Sequence, residues 1–455
     1  MSLSRPARRR RANELALGVL AVIITTGGYV LLSLANRPDI PADLWVFLFV
    51  VIGLFLAAHL AVRRFAPLAD ATLLPIAAVL NGIGFVTISR LDRTLAREQA
   101  GWTAAGVAAF VFTLVVVRRV RSLERYRYTA LLLGIAALIL PLLPVVGLEI
   151  NGARLWVHVG PLNFQPGEAA KVLIVIFAAG YLVDKRELLA AGSRRIGNLM
   201  LPAARHAGPL ALAWGFSILV MVRQKDLGSS LLFFAVFAAM LYIATDRAAY
   251  LLAALGMFLV GATIAYQIFA HVSERVSTWI DPWSDPSGKG FQIVQSLFAF
   301  GSGGFAGSGL GLGFPQKIPN ASTDFVFASI GEELGFIGTV AICILFLLFV
   351  GAGFRIAVRS DRPFHKLLAA GLTTIIGVQT FVIIGGVTRV IPLTGITLPF
   401  VSYGGSSLIA NFVIVALLLR VSDEDAAHTA QPRASAGVAI GGSDDARPIP
   451  PPVRR

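Results

Sequence analysis

The chain is poor in charge: only 14% of its 455 residues are Asp, Glu, Lys or Arg, against about 25% in an average soluble domain. It has one cysteine, Cys343, which excludes an intrachain disulfide. Its six histidines (59, 158, 206, 271, 365 and 428) are scattered without ligand spacing, which argues against a zinc site. No Gly-x-Ser-x-Gly elbow is present. The glycine-rich run from Gly301 to Gly313 follows no strand pattern and precedes no Gly-Lys-Ser/Thr, so nucleotide-binding loops are poor readings. Such glycines more plausibly let the backbone turn and pack closely near a membrane surface.

What the chain has in abundance is apolar sequence: 56% hydrophobic residues and a mean hydropathy of +0.76. A water-soluble core cannot hide that much apolar surface, and it comes in blocks. The composition predicts an all-α polytopic membrane protein. A hydrocarbon core about 30 Å thick takes about 20 apolar residues per helix. That ruler picks out twelve spans: 14–35, 44–62, 69–89, 100–117, 129–148, 168–184, 207–223, 228–245, 248–270, 325–354, 367–388 and 398–419. The arginines before the first block resemble a signal peptide, but the block is too long and lacks a clean cleavage site, so it reads as an uncleaved span. With the N-terminus in the cytoplasm, the inner segments hold 27 of the 39 Lys and Arg and the outer segments 12. This positive-inside bias predicts both termini inside, and it accounts for the net charge of +14 without nucleic acid.

Residues 1–13 then form a basic cytoplasmic N-terminus and 421–455 a Pro- and Ser-rich tail expected to be disordered. Between spans nine and ten lies an outer loop, 271–324, too long to be a mere connector. Several charges lie close to the hydrocarbon, where a functional reason is the usual one. Glu168 and Lys171 share a helix face at the start of the sixth span; Asp226 sits at a sharp break between spans; Glu332 and Glu333 lie inside the tenth. Satisfaction by water and helix ends is the competing reading for all five. The outer loop holds Asp281-Pro282-Trp283-Ser284-Asp285-Pro286, whose two Asp-Pro steps force turns. A carboxylate fixed on such a turn can act as a general base or simply cap the turn.

Four blocks carry a family resemblance. They are Asn151-Gly152-Ala153-Arg154-Leu155-Trp156 with Phe164 to Lys171; Asp226 to Ser230; Asp281 to Gln292 with Pro319 to Phe325 and Gly331 to Gly335; and Ile391 to Gly395 with Leu398 to Ser407. In this order they closely resemble the SEDS family of bacterial cell-wall proteins (shape, elongation, division and sporulation; RodA, FtsW and SpoVE). Gly386-Val387-Thr388-Arg389 is most similar to the actinobacterial RodA branch. The chain departs from the family pattern at Gly167, Leu155 and Lys225, where Ser, Arg and Pro are usual. The resemblance implies a ten-helix core, here 67–420, so that 14–66 become two additional N-terminal helices.

It also implies a peptidoglycan glycosyltransferase of the cytoplasmic membrane, polymerising lipid II into β-1,4 glycan on the outer face during elongation. Asp285 corresponds to the family's loop aspartate and is expected to be the general base. Arg154, Trp156, Glu168, Lys171, Asp226 and Lys289 are expected to support the substrate or its diphosphate, with a divalent cation (Mg or Mn) as a further source of positive charge. The implied partner is a class B penicillin-binding protein, a transpeptidase. A lipid II flippase and a non-catalytic scaffold of the elongation or division machinery are the alternatives.

Overall fold

The structure, a computed structural model, describes residues 5–36, 44–144, 146–150, 152–160, 162–191, 194–196, 199–201, 212, 215–220 and 222–430. Its elements in chain order are α1 (Arg5–Asn36), α2 (Leu44–Phe65), α3 (Leu73–Leu91), α4 (Arg93–Val116), α5 (Arg121–Arg125), α6 (Arg127–Ile139), β1 (Gly147–Ile150), β2 (Ala153–Val159), β3 (Leu162–Phe164), α7 (Pro166–Ala191), β4 (Arg194–Ile196), β5 (Leu199–Leu201), α8 (Leu227–Thr245), α9 (Ala248–Ile268), α10 (Ala270–Ile280), α11 (Phe291–Gly303), α12 (Val326–Arg359), α13 (Pro363–Val387) and α14 (Gly405–Ala430).

Among the described residues ten helices are long and apolar enough to cross a membrane: α1–α4, α7–α9 and α12–α14. The all-helical membrane architecture therefore stands. The fifth expected span is shorter than predicted. Its helix, with a following 3-10 turn, covers only Arg127–Leu142, because Pro141 and Pro144 interrupt the chain and Gly147 opens a strand. The seventh, 207–223, falls largely outside the described residues. Helix α1 begins at Arg5, so the basic segment belongs to the helix rather than preceding it.

The buried centre of the bundle is built by α7, α13 and α14, whose apolar windows are 78%, 78% and 83% buried; α9, at 6%, is almost uncovered by the rest of the chain. Between α6 and α7 the chain makes a three-stranded antiparallel sheet, β1-β2-β3, with Leu148 opposite Trp156 and Val157 opposite Phe164. The hydropathy ruler had no means of seeing these strands. The expected loop 271–324 is itself ordered, as α10, a 3-10 turn at Pro282–Ser284, α11 and a run of turns.

Helix α12 is broken at Gly335, whose φ of 64° and ψ of −162° lie in a region open essentially to glycine alone. The glycine-rich run mends the break. Ser308 N–H donates to the Glu332 carbonyl and Gly309 N–H to that of Glu333, each at 3.0 Å, while Phe336 N–H donates to Gly304 at 2.9 Å. A Cβ on Gly335 would lie 2.3 Å from the Gly307 nitrogen. The glycines thus permit close backbone packing, and Glu333 and one oxygen of Glu332 find partners there, while Glu332 Oε2 is buried without a hydrogen bond. The Phe314 N–H donates to Glu332 Oε1 at 3.0 Å, and Arg90 Nε lies 3.2 Å from Glu333 Oε1.

At the other end of the bundle, α14 runs on to Ala430, ten residues past the expected boundary. Residues 421–430 are helical because that stretch has partners. Asp423 accepts from Leu68 N–H at 2.7 Å, Glu424 from Val120 N–H at 2.6 Å, and Asp425 lies 2.7 Å from His365 Nδ1. Residues 431–455, the rest of the expected tail, lie outside the described residues.

Candidate active site

Helix α10 delivers the Asp-Pro pair. Asp281 (φ −138°, ψ 86°) and Asp285 (φ −143°, ψ 71°) are both held out of the helical region, which a following proline disfavours. Asp281 does what the capping reading expected: its Oδ1 accepts from Trp283 N–H at 3.1 Å. Asp285 closes a second turn, its Oδ2 accepting from Lys289 N–H at 3.0 Å and its carbonyl from Gly290 N–H at 3.0 Å. The turn fixes one carboxylate oxygen while the side chain stays exposed. A Cβ at position 288 would come within 2.3 Å of Asp285 Oδ2, so any larger residue than Gly288 would push the carboxylate aside.

The end of α10 is held by the segment after α13. Arg389, itself in the left-handed region at φ 62°, donates through Nε to the Trp279 carbonyl at 2.8 Å and through Nη2 to that of Ile280. Trp279 Nε1 donates back to the Arg389 carbonyl at 3.1 Å. Arg275 Nη1 reaches the Leu393 carbonyl at 2.9 Å. Cations on the last carbonyls of a helix satisfy groups that otherwise have no partner.

A second polar group lies in the bundle at the same end. Glu168 Oε2 and Lys171 Nζ are 2.7 Å apart, with both side chains buried. Lys171 also donates to Gln379 Oε1 at 2.9 Å, and Gln379 Nε2 donates to the Thr397 carbonyl at 2.8 Å. Thr397 Oγ1 continues to Ser407 Oγ at 3.0 Å. A buried pair so connected meets the desolvation cost that an isolated one would not. Asp226, buried, caps α8 by accepting from Ser229 N–H at 2.9 Å, and it is close enough to feel the charges of Glu168 and Lys171. Arg275 in turn feels Asp226 and Asp324.

Glu168 and Lys171 pair as their spacing predicted; Asp226 caps α8 nearby, and Arg275, Asp324 and Gln379 are neighbours that the sequence did not announce. Gln379 carried a signal, a polar side chain inside an apolar helix. Arg275 carried none, because only the fold brings it to Leu393. The remaining expected residues lie apart. Arg154, exposed on β2, donates to Glu149 at 3.0 Å; Trp156 is half-buried on the same strand; Lys289 lies 3.6 Å from Glu274 and is 63% exposed. Among the described residues no hydrogen bond or ion pair joins Asp285 to the buried group, and no set of three or more His, Cys, Asp or Glu converges as metal ligands.

Asp324 gives the cluster a pH signature. Burial raises its carboxyl from the usual 3.8 to about 6, against the opposing pull of Arg275. The folded state then holds a proton that the unfolded chain has released, so this contribution is full below about pH 4 and is lost as pH rises through about 6. Subtracting the pH–stability curve of Asp324→Asn from that of the wild type in detergent should leave a decline confined to this window. A flat difference would remove Asp324 from the account.

A profile of the cell cycle proteins FtsW, RodA and SpoVE matches residues 63–427. The chain is 43% identical over 433 residues to the peptidoglycan glycosyltransferase RodA of Mycobacterium tuberculosis, covering 93% of this chain and 92% of that one. It is 34% identical to the probable peptidoglycan glycosyltransferase FtsW of Geobacter metallireducens, over 78% and 94% of the two chains. Among solved structures, it resembles the rod shape determining protein RodA of Thermus thermophilus with a TM-score of 0.55 and 27% identity, over 78% and 96% of the chains. It also resembles a chain from a peptidoglycan synthase complex that coordinates polymerization and crosslinking, with a TM-score of 0.64 and 30% identity, over 78% and 98%.

Proposed function

The chain belongs to the FtsW, RodA and SpoVE family of cell cycle proteins, and from that premise we propose that it is a RodA-like peptidoglycan glycosyltransferase with Asp285 as its general base. The observation that carries the activity is the 43% identity, over nearly the whole chain, to proteins named for it. The assignment of the base rests on Asp285 being an exposed carboxylate pinned through one oxygen.

In this reading the 4-hydroxyl of one lipid II sugar attacks the anomeric carbon of the growing chain. The new C–O bond forms as the bond to the lipid diphosphate breaks, and the hydroxyl proton passes to Asp285. A positioned carboxylate makes a weak hydroxyl competent, and single displacement turns an α-linked diphosphate into a β-1,4 glycan without a covalent enzyme intermediate. Lys171 is paired with Glu168 inside the bundle, and Lys289, 63% exposed and 3.6 Å from Glu274, is the cation nearest the base in sequence. A divalent cation (Mg or Mn) would add positive charge at the leaving diphosphate, held by that diphosphate with one or two carboxylates; among the described residues no three His, Cys, Asp or Glu converge to hold it alone.

The basic bias supports a topology with Asp285, the sheet and the 388–404 segment on the outer face of the cytoplasmic membrane and both termini inside. A class B penicillin-binding protein is the proposed partner, by analogy with the synthase complex. For elongation rather than septation, the likeness to RodA is the argument.

The test is purified chain given labelled lipid II, with and without EDTA. Polymer must form in at least one of the two. If vesicles show translocation of lipid II and no polymer in either, the flippase reading replaces this one.

A further inference from the structure

Between α1 and α2 on one side and α3 and α4 on the other lies a cavity of about 1070 Å³, at the upper limit of the about 300–1,000 Å³ usual for ligand sites. Its lining on α3 runs from Leu74 to Leu91, which at 1.5 Å per residue is about 25 Å along the helix axis. The interior is stiff and mostly aliphatic and aromatic, and its polar side chains Ser33, Asn81, Ser89 and Thr103 are hydrogen-bonded to each other or to their own helices. Phe47 stacks on Tyr29 with ring centres 4.2 Å apart and on Phe85 at 5.1 Å. No lining residue comes from between 108 and 411, so neither the Asp285 turn nor the buried polar cluster takes part.

The mouth, at the Asp285 end of the bundle, carries Arg90, Asp92, Arg93 and Arg97. Arg90 is engaged by Glu333 and by the Gly313 carbonyl. Asp92 is engaged in capping α4, accepting from the N–H groups of Thr94 and Leu95. Arg93 and Arg97 stand one turn apart on the same face of α4 and are exposed. Neither has an ion-pair partner among the described residues. A slot as long as a hydrocarbon chain thus opens beneath two unmatched guanidinium groups at headgroup level.

The geometry points to a binding site for one anionic glycerophospholipid, its chain in the slot and its phosphate between Arg93 and Arg97. The hydrocarbon is called for by the aliphatic and aromatic side chains that make most of the lining, since an acyl chain buries their surface as water cannot. The negative charge is demanded by the mouth, because guanidinium groups are forks suited to phosphate. A bilayer phospholipid fits better than a lipid-linked glycan precursor for a reason of place. Helix α1 and nearly all of α2, which form half the slot, precede the family-matched segment that begins at residue 63. The lipid seals the seam between the added helices and the bundle, and this inference stands whether or not the glycosyltransferase reading does.

Native mass spectrometry of the purified full chain tests it, with phosphatidylglycerol, phosphatidylcholine or undecaprenyl diphosphate added. The wild type should retain one phosphatidylglycerol in preference to phosphatidylcholine. Arg93→Gln/Arg97→Gln should weaken that retention about twenty-fivefold, each surface arginine being worth about a factor of five. Ala78→Phe, which fills the slot, should weaken both phospholipids, with circular dichroism checking that the helices remain. Equal retention of the two phospholipids by the wild type, or undiminished phosphatidylglycerol on the double variant, would overturn the site. Displacement of phosphatidylglycerol by an equal concentration of undecaprenyl diphosphate would overturn the identity of its ligand.

Discussion

Asp285→Asn is expected to lower lipid II polymerisation by about 10²- to 10⁴-fold, the range contributed by a positioned general base, while leaving the protein folded. The asparagine amide oxygen can still accept from Lys289 N–H, the bond now made by Asp285 Oδ2 at 3.0 Å. The turn therefore survives and only the proton acceptor is lost. The side chain is exposed, so the change of charge carries little desolvation energy of its own. Asp281→Asn is the control: Asp281 caps Trp283 N–H in a matching turn, and its loss should cost less than tenfold. Rates from single-turnover assays at saturating labelled lipid II decide the matter. Equal losses at both positions would mean that the loop needs its shape and no base.

The second large effect is on stability. Lys171→Met should destabilise the protein by about 3–5 kcal/mol, because it strands the Glu168 carboxylate in a buried position. The double variant Glu168→Gln/Lys171→Met removes both charges and should recover most of that loss when unfolding is followed in detergent. Polymerisation should behave differently, staying at least tenfold below wild type in the double variant. The pair sits on the same network as Gln379, Thr397 and Ser407, which lines the end of the bundle where substrate is proposed to arrive. If activity returns together with stability, Glu168 and Lys171 only hold the helices in place.

What the sequence made legible follows the strength of each physical signal. Hydrocarbon thickness is a strict ruler, and ten of the twelve expected spans are long membrane-crossing helices. It failed at residues 129–148, where it counted apolar residues through two prolines into a strand. The β1-β2-β3 sheet was invisible because its strands, three to seven residues long, offer too little alternation to register. Glu168 with Lys171 was readable because a spacing of three on a helix fixes a shared face. Arg275 with Leu393, or Lys171 with Gln379, was not, since those contacts join residues 118 and 208 positions apart. Asp285 was singled out by its Asp-Pro step and by resemblance, and its environment, an exposed turn apart from the buried charges, emerged only with the fold.

The helical continuation past residue 420 changes what the C-terminus is for. Three acids within one turn of α14 latch separate stretches of chain: Asp423 holds the entry to α3 at Leu68, Glu424 the approach to α5 at Val120, and Asp425 the start of α13 through His365. Shortening the protein to residue 430 leaves this clasp intact. Shortening it to 420, where hydropathy alone would draw the line, unfastens the ends of three helical segments at once.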